Sequence, residues 1–398
     1  MKESQRWWMS DCHKADFEIK DKSCTGVAST ELLSSLKGFT SHKKGWNAVG
    51  KKKQMIRGIS ILGVASVLTI VLTACGGSSV TRGEEKSIDL AVSSFMPSQH
   101  PQHTDVVEPF LKEVEKATEG RVKGTVYSGS ALGKANEQYD LAVTGTASMS
   151  MALHANTPGK FPLTSVTELP FMGENAVDGT RIFWSLFEKF PEIAKEHEET
   201  KIAWLFKNDA AQIFTAKKPI KKMEDLKGLK IRTPSPAGTA ILEKFGATPV
   251  SIPMDGVYEA MQKGVVDGAL APASVITNFQ LSDVTKYITK GDFYTSSLFM
   301  VMNRKTWESI SSQDQEAIEK LMGESMAMKA GESYDEDGEL GWKQAKEAGI
   351  EVYELSDDEK AEWEKALQPI YSKWIDEMEA KGLPGKEVYD EAIRLKNQ

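Results

Sequence analysis

Cysteine is almost absent: 398 residues carry three, Cys12, Cys24 and Cys75. If processing removes what precedes Cys75, one remains, no internal disulfide is possible, and stability has to come from a buried core. A membrane-spanning run is missing as well. The candidate, residues 59–74, is uncharged but broken by Ser60, Gly63, Ser66, Thr69 and Thr73, and it falls short of the roughly 20 apolar residues a spanning helix needs. Positive charge is scarce relative to negative, with Lys plus Arg at 49 against Asp plus Glu at 57. Taking away the 12 basic and 6 acidic residues before Cys75 leaves 37 against 51, a net charge of −14. Such a balance argues against nucleic acid or an anionic membrane surface as partner.

Catalytic signatures are lacking too. No G-x-S-x-G nucleophile elbow occurs, and Gly129 to Lys134 has the wrong spacing for a phosphate-binding loop and is followed by Ala135, not Ser or Thr. His100 and His103 flank Pro101-Gln102 with no cysteine nearby, a loop pair that does not amount to a metal centre. No metal and no cofactor is assigned, and an enzyme is not expected.

What is present starts with targeting. Lys51, Lys52, Lys53 and Arg57 precede the 59–74 run, and Cys75-Gly76-Gly77 follow it, which is the order of a secretory signal. Leu72-Thr73-Ala74-Cys75 resembles a bacterial lipobox. That resemblance implies a signal peptide over 49–74, lipidation of Cys75, and a chain held at the extracytoplasmic face of the cell membrane. Residues 1–48 form a polar leader without periodicity, and the expected translation start is near Val49 or Met55. Residues 75–85 read as a flexible Gly/Ser/charged tether.

Beyond the tether, strand and helix patterns alternate. Ile88 to Val92 reads as a strand, 104–118 as a helix with Val106, Val107, Phe110, Leu111 and Val114 on one face, and 121–127 as a second strand. The pattern recurs with strands at 202–206, 229–232 and 265–269, and helices at 237–245 and 257–263. Residues 314–329 and 357–381 are strongly helical, the latter with Trp363, Leu367, Ile370, Tyr371, Trp374, Ile375 and Met378 on one face. Two α/β units are implied.

The segment from Asp225 to Pro234 (DLKGLKIRTP), Gly246 to Val250 (GATPV) and Val257 to Gly268 (VYEAMQKGVVDG) together resemble the solute-binding subunits of tripartite ATP-independent periplasmic (TRAP) transporters, DctP type. Tyr127 to Gly133, Pro158 to Leu163, Glu168 to Phe171 and Val301-Met302-Asn303 add to the match, which runs from Lys86 to about Ile393. The resemblance implies a two-lobed periplasmic-binding-protein fold with crossing strands and a long hinge helix. Lobe I is expected over 86–209 and 298–337, and lobe II over 210–297 and 338–398. It further implies a receptor that captures a small organic acid in the cleft between the lobes and delivers it to TRAP membrane subunits.

By the same resemblance Arg232, followed by Thr233, grips the ligand carboxylate. Guanidinium geometry suits a bidentate bond to a carboxylate in its own right. Relatives with a second arginine after the strand at Trp204 differ from this chain, which has Gln212 there. Ala269-Leu270-Ala271-Pro272 and Met254 replace polar and aromatic residues common in relatives. Those departures favour a monocarboxylate with an apolar or aromatic body, with Gln212, Ala271, Met254, Phe95, His100 and Phe171 around it. A receptor of an ATP-driven transporter, or of a sensor kinase or chemoreceptor, shares the two-lobed architecture and is the alternative.

Overall fold

A computed structural model describes residues 87–398; the leader, the 59–74 run, Cys75 and the tether lie outside the described residues. Strand β1 (Ile88–Ser94) leads through a helical entry at 102–107 into α1 (Glu108–Ala117), β2 (Val122–Tyr127), α2 (Gln138–Thr144) and β3 (Met149–Leu153). Helices α3 (Ala176–Lys189) and α4 (Pro191–Lys195) precede β4 (Thr200–Lys207). The chain then changes sheet. β5 (Ala211–Thr215), β6 (Lys230–Thr233), α5 (Pro236–Lys244), β7 (Thr248–Ser251), α6 (Val257–Gln262), β8 (Gly268–Pro272), α7 (Val275–Asn278) and β9 (Tyr287–Lys290) build the second half. β10 (Ser297–Asn303) returns to the first sheet and is followed by α8 (Arg304–Ser309), α9 (Ser312–Glu319) and α10 (Glu324–Glu347). β11 (Glu351–Glu354) rejoins the second sheet before α11 (Asp357–Ala380) and α12 (Gly385–Lys396).

The first sheet has the order β2-β1-β3-β10-β4 and the second β11-β9-β5-β8-β6-β7. β1, β2 and β3 run parallel, while β10 is antiparallel to both β3 and β4. This is the mixed α/β, two-lobed architecture, with three crossings, at 208–210, 291–296 and 348–350, joining the sheets. Core packing follows the periodicity. Val106, Val107, Phe110, Leu111 and Val114 are buried on one face of α1 and its entry, and Phe110 meets the fully buried Trp204 edge-on at 5.1 Å.

Local chemistry sets the helix ends. Ser356 and Glu359 form a reciprocal capping box at the start of α11, and Asp357, Asp358 and Glu359 sit where the helix dipole favours negative charge. Residues 314–329 are not one helix. α9 stops at Glu319 and α10 begins at Glu324, because Gly323 adopts φ +87° and donates its N–H to Ala203 O at 2.8 Å. The strand read at 265–269 starts three residues later, after the left-handed Gly264.

The C-terminal part is shared between the lobes. Trp363 and Leu367 of α11 pack with the second sheet's core, but Tyr371 Oη donates to Pro170 O and Trp374 Nε1 to Ser165 Oγ, both at 2.8 Å, on the first lobe's side. α12 lies against α3, where Arg181 donates to Leu395 O and Lys189 pairs with Glu391. The expectation that 338–398 belongs to lobe II is therefore corrected: apolar residues Val388, Ala392 and Leu395 are buried on the first lobe's helices. The boundary expected between 337 and 338 falls inside the unbroken α10, which packs on α3, β4 and α7.

Candidate functional site

Strands β1, β3, β4, β6 and β8 all point their C-terminal ends at one cleft between the sheets, the place where open α/β sheets receive ligands. Its walls come from both halves: Phe95, Met96, His100 and Leu153 from the first, Arg232, Met254, Leu270 and Phe279 from the second, with Asn208, Tyr294, Ser296 and Tyr334 at the crossings and on α10. The walls stand close, leaving a cavity of about 40 Å³.

Arg232 is the single charged residue of this lining. It is 3% exposed, and its Nε donates to Ile252 O at 2.7 Å. That bond fixes the plane of the guanidinium, and the two terminal nitrogens make no hydrogen bond to any described residue. Burial lowers its pKa from 12.5 to about 10, against the opposing pull of Tyr294 and Asp255, so at neutral pH it remains a cation. A buried guanidinium with two free donors side by side is built for a carboxylate.

Two neutral donors are equally well fixed. Asn208 N donates to Ser296 O at 3.2 Å while its Oδ1 accepts from Ser296 N at 2.7 Å, which orients the amide and leaves Nδ2 uncommitted. His100 Nδ1 accepts from Gln102 N at 3.2 Å. The rest is apolar or aromatic: Tyr334 and Phe279 stand edge-on to the His100 ring at 5.7 and 6.4 Å, and burial holds the Tyr334 and Tyr294 hydroxyls above their usual pKa.

Of the residues expected from sequence, Arg232, Phe95, His100 and Met254 line the cleft. Four do not. Gln212 donates from Nε2 to Ala210 O and Asp292 Oδ1 and accepts at Oε1 from Gly291 N and Asp292 N, so its amide is spent tying β5 to the neighbouring crossing. Ala271 and Thr233 alternate with lining neighbours and face the opposite side of their strands; Leu270, Pro272, Arg232 and Pro234 take the cleft side. Phe171 packs against Phe293 in the second lobe's core, ring centroids 6.1 Å apart, with φ at +55°.

Asn208, Ser296, Tyr294 and Tyr334 went unread because they sit at crossings and on α10, where no periodic pattern marks a facing side. The signal available was the polar Tyr294-Thr295-Ser296-Ser297 run before an apolar strand. Among the described residues no group of three or more His, Cys, Asp or Glu side chains converges as a metal site, and no described helix is long and apolar enough to cross a membrane.

Comparison with known proteins places this geometry. The family model described as DctP, bacterial extracellular solute-binding protein, family 7, matches residues 92–377. The outer membrane transporter protein TsaT of Comamonas testosteroni is 26% identical over 304 residues, covering 76% of this chain and 89% of TsaT. A TRAP solute-binding protein from Rhodoferax ferrireducens T118, solved with copurified benzoate, superposes with a TM-score of 0.75 at 25% identity, covering 78% of this chain and 98% of that one. A marine metagenome TRAP solute-binding protein specific for aromatic acid ligands, solved with 3-hydroxybenzoate, gives 0.75 at 29% identity, with 78% and 98% covered.

Proposed function

The chain belongs to family 7 of the bacterial extracellular solute-binding proteins, a receptor family and not an enzyme family, and from that premise we propose that it captures a monocarboxylate with an aromatic or apolar body. The observation that carries the reading is Arg232, a buried cation with two unbonded terminal nitrogens in an otherwise uncharged lining. One guanidinium satisfies one carboxylate bidentately. A second carboxylate would lie buried without a cation, at a cost of several kcal/mol. The relatives solved with benzoate and with 3-hydroxybenzoate support the aromatic body.

Delivery is to TRAP membrane subunits, as the family's transporters require, and the ligand sits in the cleft between the two lobes. Processing before Cys75 and lipidation of that cysteine, with 75–85 as the tether, would hold the receptor at the extracytoplasmic face of the membrane. The motif at 72–75 supports this, and mass spectrometry of the native membrane fraction tests it: an unmodified Cys75 inside a longer peptide would exclude the anchor.

The binding test is native mass spectrometry of residues 76–398, followed by a thermal-shift panel of organic acids. A ligand at 100 times its dissociation constant stabilises by about 2.7 kcal/mol, and an aromatic monocarboxylate should do so for the wild type but not for Arg232→Ala. A response to dicarboxylates or sugars alone, or an undiminished response in Arg232→Ala, would overturn the site.

A further inference from the structure

Within the cleft, His100 is a donor in search of an acceptor. Because Gln102 N–H points into Nδ1, the neutral ring carries its proton on Nε2. Nε2 makes no hydrogen bond to any described residue, yet the side chain is 3% exposed and lines the cavity. Both ring nitrogens of the neighbouring His103 are sealed from solvent without a partner, whereas His100 Nε2 is not, so it opens on the cavity; an apolar ligand atom set against it would strip away its water and leave the donor unpaired, at a cost. His100 follows β1 on the first sheet, whereas Arg232 lies on β6 of the second, so the two face the ligand from opposite walls. The two terminal nitrogens of Arg232 already match both oxygens of a carboxylate, which leaves the His100 donor for something else.

We propose that His100 is the specificity-determining donor of this cleft: its Nε2–H binds an oxygen, hydroxyl or carbonyl, carried on the body of the acid away from the carboxylate. The ligand class is thereby narrowed from monocarboxylates with an aromatic body to those bearing an oxygen substituent on that body. The inference rests on the carboxylate reading of Arg232 and adds a second, independent contact to it. The surroundings fit a ring-borne substituent. Tyr334 and Phe279 present their edges around the imidazole, and Met96, which accepts weakly from Tyr334 Oη at 3.9 Å, closes the same wall. Burial, and after it His103, depresses the His100 pKa to about 3, so the ring acts as a neutral donor and does not recruit a second anion. Asn208 Nδ2 is a further uncommitted donor of the lining and offers a companion contact from the crossing.

The test compares dissociation constants for benzoate, its three monohydroxy isomers, phenylacetate and its hydroxylated isomers. Three proteins are compared: wild type, His100→Asn and His100→Gln. His100→Asn keeps an oxygen near the Nδ1 position for Gln102 N–H and removes the distal donor; His100→Gln returns an amide N–H near the Nε2 position. We expect at least one hydroxylated isomer to bind wild type about tenfold more tightly than its unsubstituted parent. In His100→Asn that ratio should collapse to near one, and His100→Gln should recover it. Equal losses for parent and hydroxylated acids in His100→Asn would mean the donor serves the carboxylate, and an unchanged ratio would mean it serves nothing on the ligand; either overturns the proposal while leaving Arg232 in place. If no acid of the panel binds wild type, or Arg232→Met binds them all as well as wild type does, the carboxylate reading itself falls and this one with it.

Discussion

Arg232 holds its charge at a cost to the fold. At neutral pH both folded and unfolded chains carry the guanidinium proton, but the folded state holds it in a dry site with one hydrogen bond, which lowers the pKa to about 10. The penalty is on the order of 3 kcal/mol, it is present at every pH below about 10, and only an anion in the cleft offsets it. Arg232→Met fills similar volume without the charge. It should therefore stabilise the ligand-free protein by about 1–3 kcal/mol while abolishing acid binding. Urea denaturation of the two proteins at pH 7 checks the first half and a thermal-shift titration the second. A less stable Arg232→Met would mean that the cation is already compensated within the fold.

At the scale of elements, the cleft wall at 273–279 depends on how closely α10 approaches it. A Cβ on Gly341 would lie 2.1 Å from Ala273 O, a backbone atom that cannot swing aside. Gly341→Ala must push α10 off the segment whose Ser274, Val275 and Phe279 line the cleft. A loss of about 1–3 kcal/mol with weakened acid binding is expected, and wild-type affinity in the folded variant would show that the wall is set elsewhere. From the other side the same segment is held by Asp209, whose carboxylate accepts from Ser274 N at 3.1 Å and Ser274 Oγ at 2.6 Å. Burial raises the Asp209 pKa to about 7, with Asp337 and Asp335 adding to the rise and the Ser274 bonds opposing it. The folded state thus keeps this proton up to about pH 7, whereas the unfolded chain releases it near 3.8. Stability is drained as pH rises between those values. Asp209→Asn removes the drain, so its stability relative to wild type should climb between pH 4.5 and 7.5. A constant difference across that range would refute the assignment.

These elements also show what sequence can and cannot yield. The apolar faces at 106–114 and 363–378 located α1 with its helical entry and α11, because burial on one face is a local demand. The motif around Arg232 gave the carboxylate-binding candidate. Gln212 was misjudged because its hydrogen bonds reach Gly291 and Asp292, some 80 positions away. Ala271 and Thr233 were misjudged by the parity of their strands, since a one-residue offset exchanges cleft for core. No local pattern encodes either relation.

For the whole molecule, the question is how a ligand enters. The lining of the cavity is drawn from both sheets and its walls stand close, so entry demands that the lobes separate. Three crossings join the sheets, and the backbone there is already bent out of ordinary conformations: Asp292 has φ +52°, and its crossing is tied to β5 through Gln212 and to α11 through Lys360. Few-residue crossings of this kind absorb hinge rotation while the sheets stay rigid. α11 spans the same divide, with Trp363 in the second lobe's core and Trp374 bonded to Ser165 on the first, so it has to bend or slide as the lobes part. Pro369 in its interior removes one helical hydrogen bond at the midpoint between those anchors. Ligand-free protein should therefore show a larger radius of gyration by small-angle scattering than protein saturated with its acid, and Pro369→Ala, by stiffening α11, should shrink that difference. Equal radii with and without ligand in the wild type would mean that the cleft admits its acid by side-chain movement alone and that the crossings are struts and not hinges.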